Sequence, residues 1–210
     1  MRLSVHDLAR AERSSLAELL GSLTPDEWDS PSLCDGWSVR DVVAHHLSYD
    51  ELPTGALLAR FARNLGRFDR ANDDGLGEMA GVGPEQLKGL LDRHLTPSGL
   101  PTAFGGRIAL LDCMVHQQDI RRPLRRPREI PAQRLIPALD FARWAPPIGA
   151  RSRIKGLALV ADDLDWSAGR GPRVVGPGEA ILMAMAGRRG VVDELSGPGA
   201  DLLRERLGEG

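Results

Sequence analysis

The chain has 210 residues, 42% of them hydrophobic, which is enough to bury a substantial core in one large domain or two small ones. Its formal net charge of -2 gives no electrostatic case for nucleic acid or an anionic membrane, and no stretch approaches the roughly 20 apolar residues of a membrane span. The start lacks the apolar run of a signal peptide, and two cysteines are too few for a disulfide framework, so we expect a cytoplasmic protein.

The first half of the chain has the apolar periodicity of helices. Apolar residues at helical spacing predict a helix over 5–20, with Gly21 as its stop. Ser38 is followed three residues later by Asp41, a near capping box in which Asp replaces the usual Glu. A second helix is therefore predicted to begin at about Val39.

The middle of the chain continues the helical pattern with one interruption. A third helical stretch is predicted over 53–70, and the polar segment 71–75 is expected to be a mobile loop. Further helices are predicted over 84–94, from 105 or 106 to 122, and over 131–144.

A change of pattern marks the boundary between two domains. Two prolines and a glycine within 146–149 interrupt any helix and are typical of a linker. The sequence therefore predicts a mainly α protein, with a four-helix bundle over 1–145 and a small α+β domain over 146–210.

The C-terminal domain is predicted to contain strands as well as helices. Residues 154–161 are largely aliphatic and predict a strand. Trp166 and the run 173–176 suggest its partner, with 169–172 as the turn. Two helical segments complete the domain, at 180–186 and from residue 199 onward.

The most informative residues lie in the long helix that ends near residue 122. Asp112 and His116 are four residues apart, so that a carboxylate and an imidazole share one face, which Asp119 continues. The second helix adds His45 and His46. One carboxylate and two imidazoles from two helices can hold a metal and leave a coordination position open, which is the catalytic rather than the structural arrangement.

Periodicity leaves open which histidine of the pair faces inward. On a helical wheel His46 sits near the centre of an apolar stripe, and His45 lies at its edge. The wheel slightly favours His46, although a lone inward histidine is more often a hydrogen-bonded core residue than a ligand. The stripe consists of Val39, Val42, Val43 and Leu47.

We expect neither cysteine to take part in the chemistry. Cys113 points about 100° away from Asp112 on the same helix and cannot easily join its site. Cys34 lies in the loop before the second helix, where a structural role is the expectation.

Three motifs carry a resemblance to a known family: Leu-Thr-Pro-Asp-Glu-Trp at 23–28, Leu-Cys-Asp-Gly-Trp-Ser-Val-Arg-Asp-Val-Val-Ala-His at 33–45, and Val-His-Gln-Gln-Asp-Ile-Arg-Arg-Pro-Leu at 115–124. They look like the mycothiol-dependent maleylpyruvate isomerase family, part of the DinB/YfiT-like group of metal-binding four-helix bundles. The resemblance extends to C-terminal segments at 164–166, 176–180 and 193–197. Mycothiol is an actinobacterial thiol. The basic residues of this chain are almost all arginine, which suggests a GC-rich genome and agrees with such a source.

The resemblance implies a set of metal ligands. The family pattern places the first ligand eight residues after the tryptophan of Gly-Trp, which is His45 here. The other two ligands carry over onto Asp112 and His116; the acidic one is often Glu, so this side chain is one methylene shorter. Asp119 matches a recurring acidic residue, to which we assign a supporting role behind the ligands or in helix packing.

The resemblance also implies an enzyme that uses mycothiol and a divalent metal, zinc by ligand type with nickel as the alternative. A metal-bound thiolate would attack an electrophilic small molecule, in a thiol S-transferase or a maleylpyruvate isomerase-like reaction. Arg121 and Arg122 would bind an acidic group of the thiol or substrate, or else only favour the helix dipole. The alternatives are a metal-dependent hydrolase using bound water and a non-catalytic metal- or thiol-binding protein.

The expected partners follow from this interpretation. They are a low-molecular-weight thiol and a small electrophilic substrate, without nucleic acid or membrane. The protein itself is expected to be a monomer or a homodimer.

Overall fold

The chain folds into two compact units, Met1–Pro127 and Arg128–Gly210. The predicted fold, mainly α with a small sheet near the C-terminus, is confirmed. Within the part of the chain that the structure describes, none of the helices has both the length and the apolar character needed to cross a bilayer. The structure is a computed structural model that describes residues 3–50, 52, 54–64, 68–146 and 148–208.

The first unit is built around a four-helix bundle. Its helices are α1 (Val5–Gly21), α2 (Pro25–Trp28), α3 (Val39–Leu47), α4 (Thr54–Arg63), α5 (Phe68–Glu78), α6 (Pro84–Arg93) and α7 (Arg107–Arg121). Both α1 and α3 pack against α6 and α7, which closes the bundle. The core between them is aliphatic, and includes Leu16, Leu20, Val42, Leu87 and Ile120.

The start of α3 follows the capping signal in the sequence. The Ser38 hydroxyl accepts a hydrogen bond from the Asp41 backbone N–H at 3.2 Å, and the Asp41 carboxylate accepts one from the Ser38 N–H at 2.9 Å. These reciprocal bonds satisfy two N–H groups that the first helical turn leaves unpaired. They fix the first residue of α3, and with it the direction in which the later histidines point.

The prediction of a mobile loop at 71–75 is wrong, because these residues belong to α5. Two of its polar side chains have partners elsewhere in the unit: Asn72 accepts a hydrogen bond from the Tyr49 hydroxyl at 2.7 Å, and Asp74 accepts one from Asn64 at 2.8 Å. A Cβ added to Gly75 would lie 2.8 Å from Ser48 Oγ. The glycine therefore serves close packing rather than a turn. Part of the helical stretch predicted just before, residues 65–67, lies outside the described residues.

The second unit combines four helices with a three-stranded sheet in its described residues. Its elements are α8 (Ala132–Ala142), α9 (Ala150–Ile154), β1 (Ala158–Ala161), β2 (Ser167–Gly169), β3 (Arg173–Gly176), α10 (Gly178–Met185) and α11 (Ala200–Arg206). The strand predicted from residue 154 begins only at Ala158, because Ile154 ends α9 and residues 155–157 form a turn before the strand. Trp166 directly precedes β2.

The strand order differs from a simple hairpin. It is β2-β1-β3, with β1 antiparallel to β2 and parallel to β3, so that the predicted turn at 169–172 joins two strands that do not pair with each other. Glycines allow the connection from β2 to β3 to pass close to the residues just before β1. Gly171 has φ 128°, and a Cβ there would lie 2.0 Å from the Gly156 carbonyl oxygen.

Helix α8 belongs to the second unit, although the sequence predicts it as part of the bundle. It packs on α10. Its Asp140 carboxylate accepts a hydrogen bond from the Trp166 indole N–H at 3.0 Å. These contacts hold α8 in the second unit. They join segments that are far apart in the sequence, so the apolar periodicity of the helix cannot predict them.

Candidate metal centre

Three of the side chains singled out in the sequence meet where α3 packs on α7. One potential ligand atom from each of His45, Asp112 and His116 lies within 4.8 Å of the other two. The two imidazole rings are nearly perpendicular, with centroids 5.0 Å apart. Both histidines are buried and Asp112 is half-buried, so the group is shielded but open on one side.

The orientation of the His116 ring is set by carboxylates at both of its nitrogens. Its Nδ1 lies 3.0 Å from Asp119 Oδ2, and its Nε2 lies 3.5 Å from Asp112 Oδ1. Asp119 is fully buried. A carboxylate behind an imidazole fixes its orientation and tautomer. Nε2 is thereby the nitrogen turned toward the group that His45 and Asp112 complete.

His46 holds the second carboxylate oxygen of Asp112. Its Nδ1 lies 2.6 Å from Asp112 Oδ2, and its ring is buried. The other oxygen, Oδ1, is the one that faces His116. His46 therefore points inward, as the helical wheel favours, and His45 lies in one group of potential ligands with Asp112 and His116; the ligand role that the resemblance implies for His45 stays a prediction. The link between His46 and Asp112 spans 66 residues, and local pattern gives no signal for it.

The pKa values of Asp112 and His116 are shifted in opposite directions, which favours an ion pair between these two residues. Partial desolvation works against the charge of Asp112, but the positive charge of His116 and hydrogen bonds from His116 and His46 outweigh it, so that the pKa of Asp112 lies well below its usual value. Desolvation likewise opposes protonation of His116. The negative charge of Asp112 and hydrogen bonds with Asp112, Asp119 and Cys34 prevail, so that the pKa of His116 lies well above its usual value.

Aromatic rings enclose His45. Trp37 lies 5.0 Å away and Tyr49 lies 5.9 Å away, measured between ring centroids, and the Tyr49 ring meets His45 edge-on. The Arg60 guanidinium sits 5.2 Å from the centre of the Tyr49 ring. Burial raises the pKa of the Tyr49 hydroxyl, so this group stays neutral.

Cys34, for which the sequence predicts only a structural role, also reaches this region. Its thiol donates a hydrogen bond to Asp119 Oδ2 at 3.2 Å, and Cys34, Asp119 and His116 form a second group with potential ligand atoms within 4.8 Å of one another. Cys34 and Asp119 are 85 residues apart, so only the fold brings them together. Cys113, by contrast, is buried in the bundle core as expected.

The arginine pair at the end of α7 contributes to local structure. Arg121 donates hydrogen bonds to Gln117 Oε1 at 2.9 Å and to the Arg126 carbonyl oxygen at 3.3 Å. Arg122 is the C-terminal cap residue of α7. These contacts hold the chain that follows the helix, and the binding of an acidic group by this pair remains a prediction.

The bundle and its donor set define a class of protein: a four-helix bundle with a candidate metal centre of two histidines and one aspartate between neighbouring helices. Residues 9–96 match the family described as the mycothiol maleylpyruvate isomerase N-terminal domain. This stretch includes His45 and ends before Asp112. Residues 9–96 therefore form a domain of the mycothiol maleylpyruvate isomerase N-terminal type.

Two crystal structures share the fold. They are mycothiol-dependent maleylpyruvate isomerase and a histidine-to-alanine mutant of it, with TM-scores of 0.62 and 0.63. Each is 16% identical to this chain, and the matches cover 93% of this chain and 92% of the other. No curated protein shows significant similarity to the chain.

Proposed function

We propose that this protein is a metal-dependent enzyme that uses mycothiol to act on a small electrophile, either isomerising a double bond or transferring the thiol. The observation that carries the proposal is the convergence of His45, Asp112 and His116 within 4.8 Å in a chain whose residues 9–96 match the mycothiol maleylpyruvate isomerase N-terminal domain.

The donor set fits a divalent cation. Two imidazole nitrogens and one carboxylate oxygen suit zinc, with nickel as the alternative, and three protein ligands leave a further position open. Asp112 offers one oxygen, because His46 engages the other. When bound, the cation lowers the pKa of a coordinated thiol, so that the thiol is a thiolate at neutral pH.

The other residues of the site position these donors. Asp119 orients the His116 ring, and His46 holds the Asp112 carboxylate. Trp37 and Tyr49 pack on His45 and limit the access of water to it. Arg121 and Arg122 are proposed to receive an acidic group of the thiol or the substrate by charge pairing.

Thiol chemistry accounts for both proposed reactions. In an isomerisation, the thiolate adds to one carbon of the double bond, rotation follows about the resulting single bond, and elimination returns the thiolate. No atom is gained or lost. In a transfer, the new carbon–sulfur bond is retained and a proton or a leaving group completes the balance.

Metal analysis tests the site first. We expect at least one zinc or nickel per chain in protein purified without chelators or a histidine tag, and loss of at least one equivalent in each of His45→Ala, Asp112→Ala and His116→Ala. His6→Ala, at an exposed position of α1, is the matched control and keeps the metal. Wild-type metal content in all three site variants contradicts the assignment.

Activity of the metal-loaded enzyme tests the reaction. The substrate is maleylpyruvate, or another electrophilic cis-alkene acid, supplied with and without mycothiol. Turnover that requires both metal and thiol supports the proposal. Turnover that needs metal but no thiol favours the hydrolase, and bound metal without any turnover favours the non-catalytic alternative.

A further inference from the structure

The His116 ring has potential metal ligands at both of its nitrogens. His45 and Asp112 lie with Nε2, while Cys34 and Asp119 gather at Nδ1. On the Nδ1 side, Asp119 Oδ2 is 3.0 Å from the ring nitrogen and 3.2 Å from Cys34 Sγ, and one potential ligand atom from each of the three residues lies within 4.8 Å of the other two. Sulfur, nitrogen and oxygen donors thus converge at one place.

We propose that Cys34, Asp119 and His116 Nδ1 form a second metal position, so that the His116 ring can join two cations, one at each nitrogen. The ligand is a divalent cation with affinity for thiolate, such as zinc. This inference goes beyond the proposed function and does not rest on it, since the second position requires Cys34 and the first requires His45.

The observed distances suit such a cation. Zinc binds thiolate sulfur at about 2.3 Å and imidazole or carboxylate atoms at about 2.0–2.2 Å, which places neighbouring ligands of a tetrahedral site roughly 3.3–3.6 Å apart. Two of the three separations are already 3.0 and 3.2 Å. A cation needs only a small opening of the group to enter.

The surroundings favour a positive charge at this point. Asp119 is fully buried, and a buried carboxylate needs compensation by a cation or by hydrogen-bond donors. In the metal-free protein the Cys34 thiol and the His116 ring supply it. On binding, the cation displaces the thiol proton and any proton on Nδ1 to solvent. The thiolate and carboxylate then balance its two positive charges, and with a cation at each nitrogen the ring is an imidazolate whose one negative charge the two cations share.

Cobalt titration of the metal-free protein tests this proposal, because a cobalt–thiolate bond gives a charge-transfer absorption that nitrogen and oxygen ligands do not. We expect two equivalents of Co²⁺ per chain, one of them accompanied by this absorption. Cys34→Ser loses the absorption and one equivalent, whereas His45→Ala loses the other equivalent and keeps the absorption. Cys113→Ser, at the buried core cysteine, keeps both.

Thiol reactivity provides a second readout that does not depend on cobalt. In the Cys113→Ser background, saturating Zn²⁺ is expected to protect Cys34 from a thiol-alkylating reagent, and His45→Ala should not remove this protection. A single equivalent of Co²⁺, without thiolate absorption and unchanged by Cys34→Ser, overturns the second position and leaves the first intact. Loss of binding in His45→Ala alone likewise supports only the first position.

Discussion

The carboxylate of Asp119 lies 3.0 Å from Nδ1 of His116 and is fully buried, while Asp112 approaches the opposite nitrogen of the same ring. One turn of α7 thus supplies both a candidate ligand and the residue that orients it. The pair resembles the carboxylate–histidine arrangements that fix the tautomer of metal-binding histidines. Asp119 is therefore a positioning residue for the site at Nε2.

Removing Asp119 is expected to weaken the first metal position without abolishing it. Asp119→Ala should lower zinc affinity about 10–100-fold, because the His116 ring loses the partner that fixes its tautomer. Chelator competition in the Cys34→Ser background isolates this position. Asp92→Ala, at an exposed aspartate of α6, is the control for loss of a negative charge. Unchanged affinity in Asp119→Ala would show that the ring is held by packing alone.

The two adjacent histidines of α3 are expected to behave differently. His45→Ala should lose metal from the first position, because it removes a ligand. His46→Ala should retain the metal with an affinity lowered about 10–100-fold, because Asp112 loses only the hydrogen bond that orients it. Zinc stoichiometry and chelator competition measure both effects. The reverse result, with His46→Ala losing the metal, would show that the helical wheel identifies the ligand correctly.

Local sequence signals predict much of the bundle. The capping box at Ser38 and Asp41 locates the start of α3, and the four-residue spacing of Asp112 and His116 places both on one face of α7. These features depend on contacts within one helix turn. The composition of 71–75 suggests a loop, because Asn, Asp and Gly are typical of loops. In the structure, however, Asn72 and Asp74 form hydrogen bonds to residues outside α5, and Gly75 allows close packing.

The fuller shape of the site depends on contacts between distant segments. The hydrogen bond from Cys34 to Asp119 and the contact of His46 with Asp112 join segments 85 and 66 residues apart. Neither helical period nor spacing encodes such pairs. The resemblance to a family selects His45 as a ligand and Asp119 as a supporting residue, but it contains no information on the contacts that Cys34 and His46 make.

The ion pair between Asp112 and His116 predicts how pH affects the metal-free protein. The pKa of His116 is raised, so its contribution to the free energy of unfolding is fully present below about pH 6.5 and is lost as the pH rises through the raised value. The pKa of Asp112 is lowered, so its contribution is present above about pH 4 and is lost as the pH falls through the lowered value. Urea denaturation of chelator-treated protein, repeated from below about pH 4 to above about pH 6.5, measures how the free energy of unfolding changes with pH at each end. His116→Ala should lack the alkaline loss, and an unchanged alkaline slope in that variant would assign it to another group.

Metal binding should depend on pH through the same pair. Because a cation at Nε2 competes with the protonation of His116 that its raised pKa favours, zinc binding is expected to release a proton and to tighten with rising pH. Calorimetric titrations in buffers of different ionisation enthalpy count the protons released. An affinity independent of pH between 6 and 8 would mean that His116 binds metal from an already neutral state.

A fully buried ion pair between Arg13 and Asp50 is expected to control stability rather than metal binding. Arg13 Nη1 donates to Asp50 Oδ1 at 2.9 Å, both side chains are fully buried, and the same nitrogen also donates to the carbonyl oxygen of His94 at 2.7 Å. Removing one member of a buried pair leaves the other charge uncompensated. Asp50→Ala should therefore lower the free energy of unfolding by about 3–5 kcal/mol, as measured by urea denaturation.

A double replacement separates the cost of an unpaired charge from the value of the pair itself. Arg13 Nε and Nη2 and Asp50 Oδ2 are buried and have no hydrogen-bond partner among the described residues, so the pair is incompletely satisfied. Arg13→Met combined with Asp50→Leu should then be more stable than Asp50→Ala, because no charge remains in the interior. Asp29→Ala, in an exposed pair with Arg40, should change stability by less than about 1 kcal/mol. If Asp50→Ala costs no more than this exposed control, water reaches Arg13 in solution and solvates its charge.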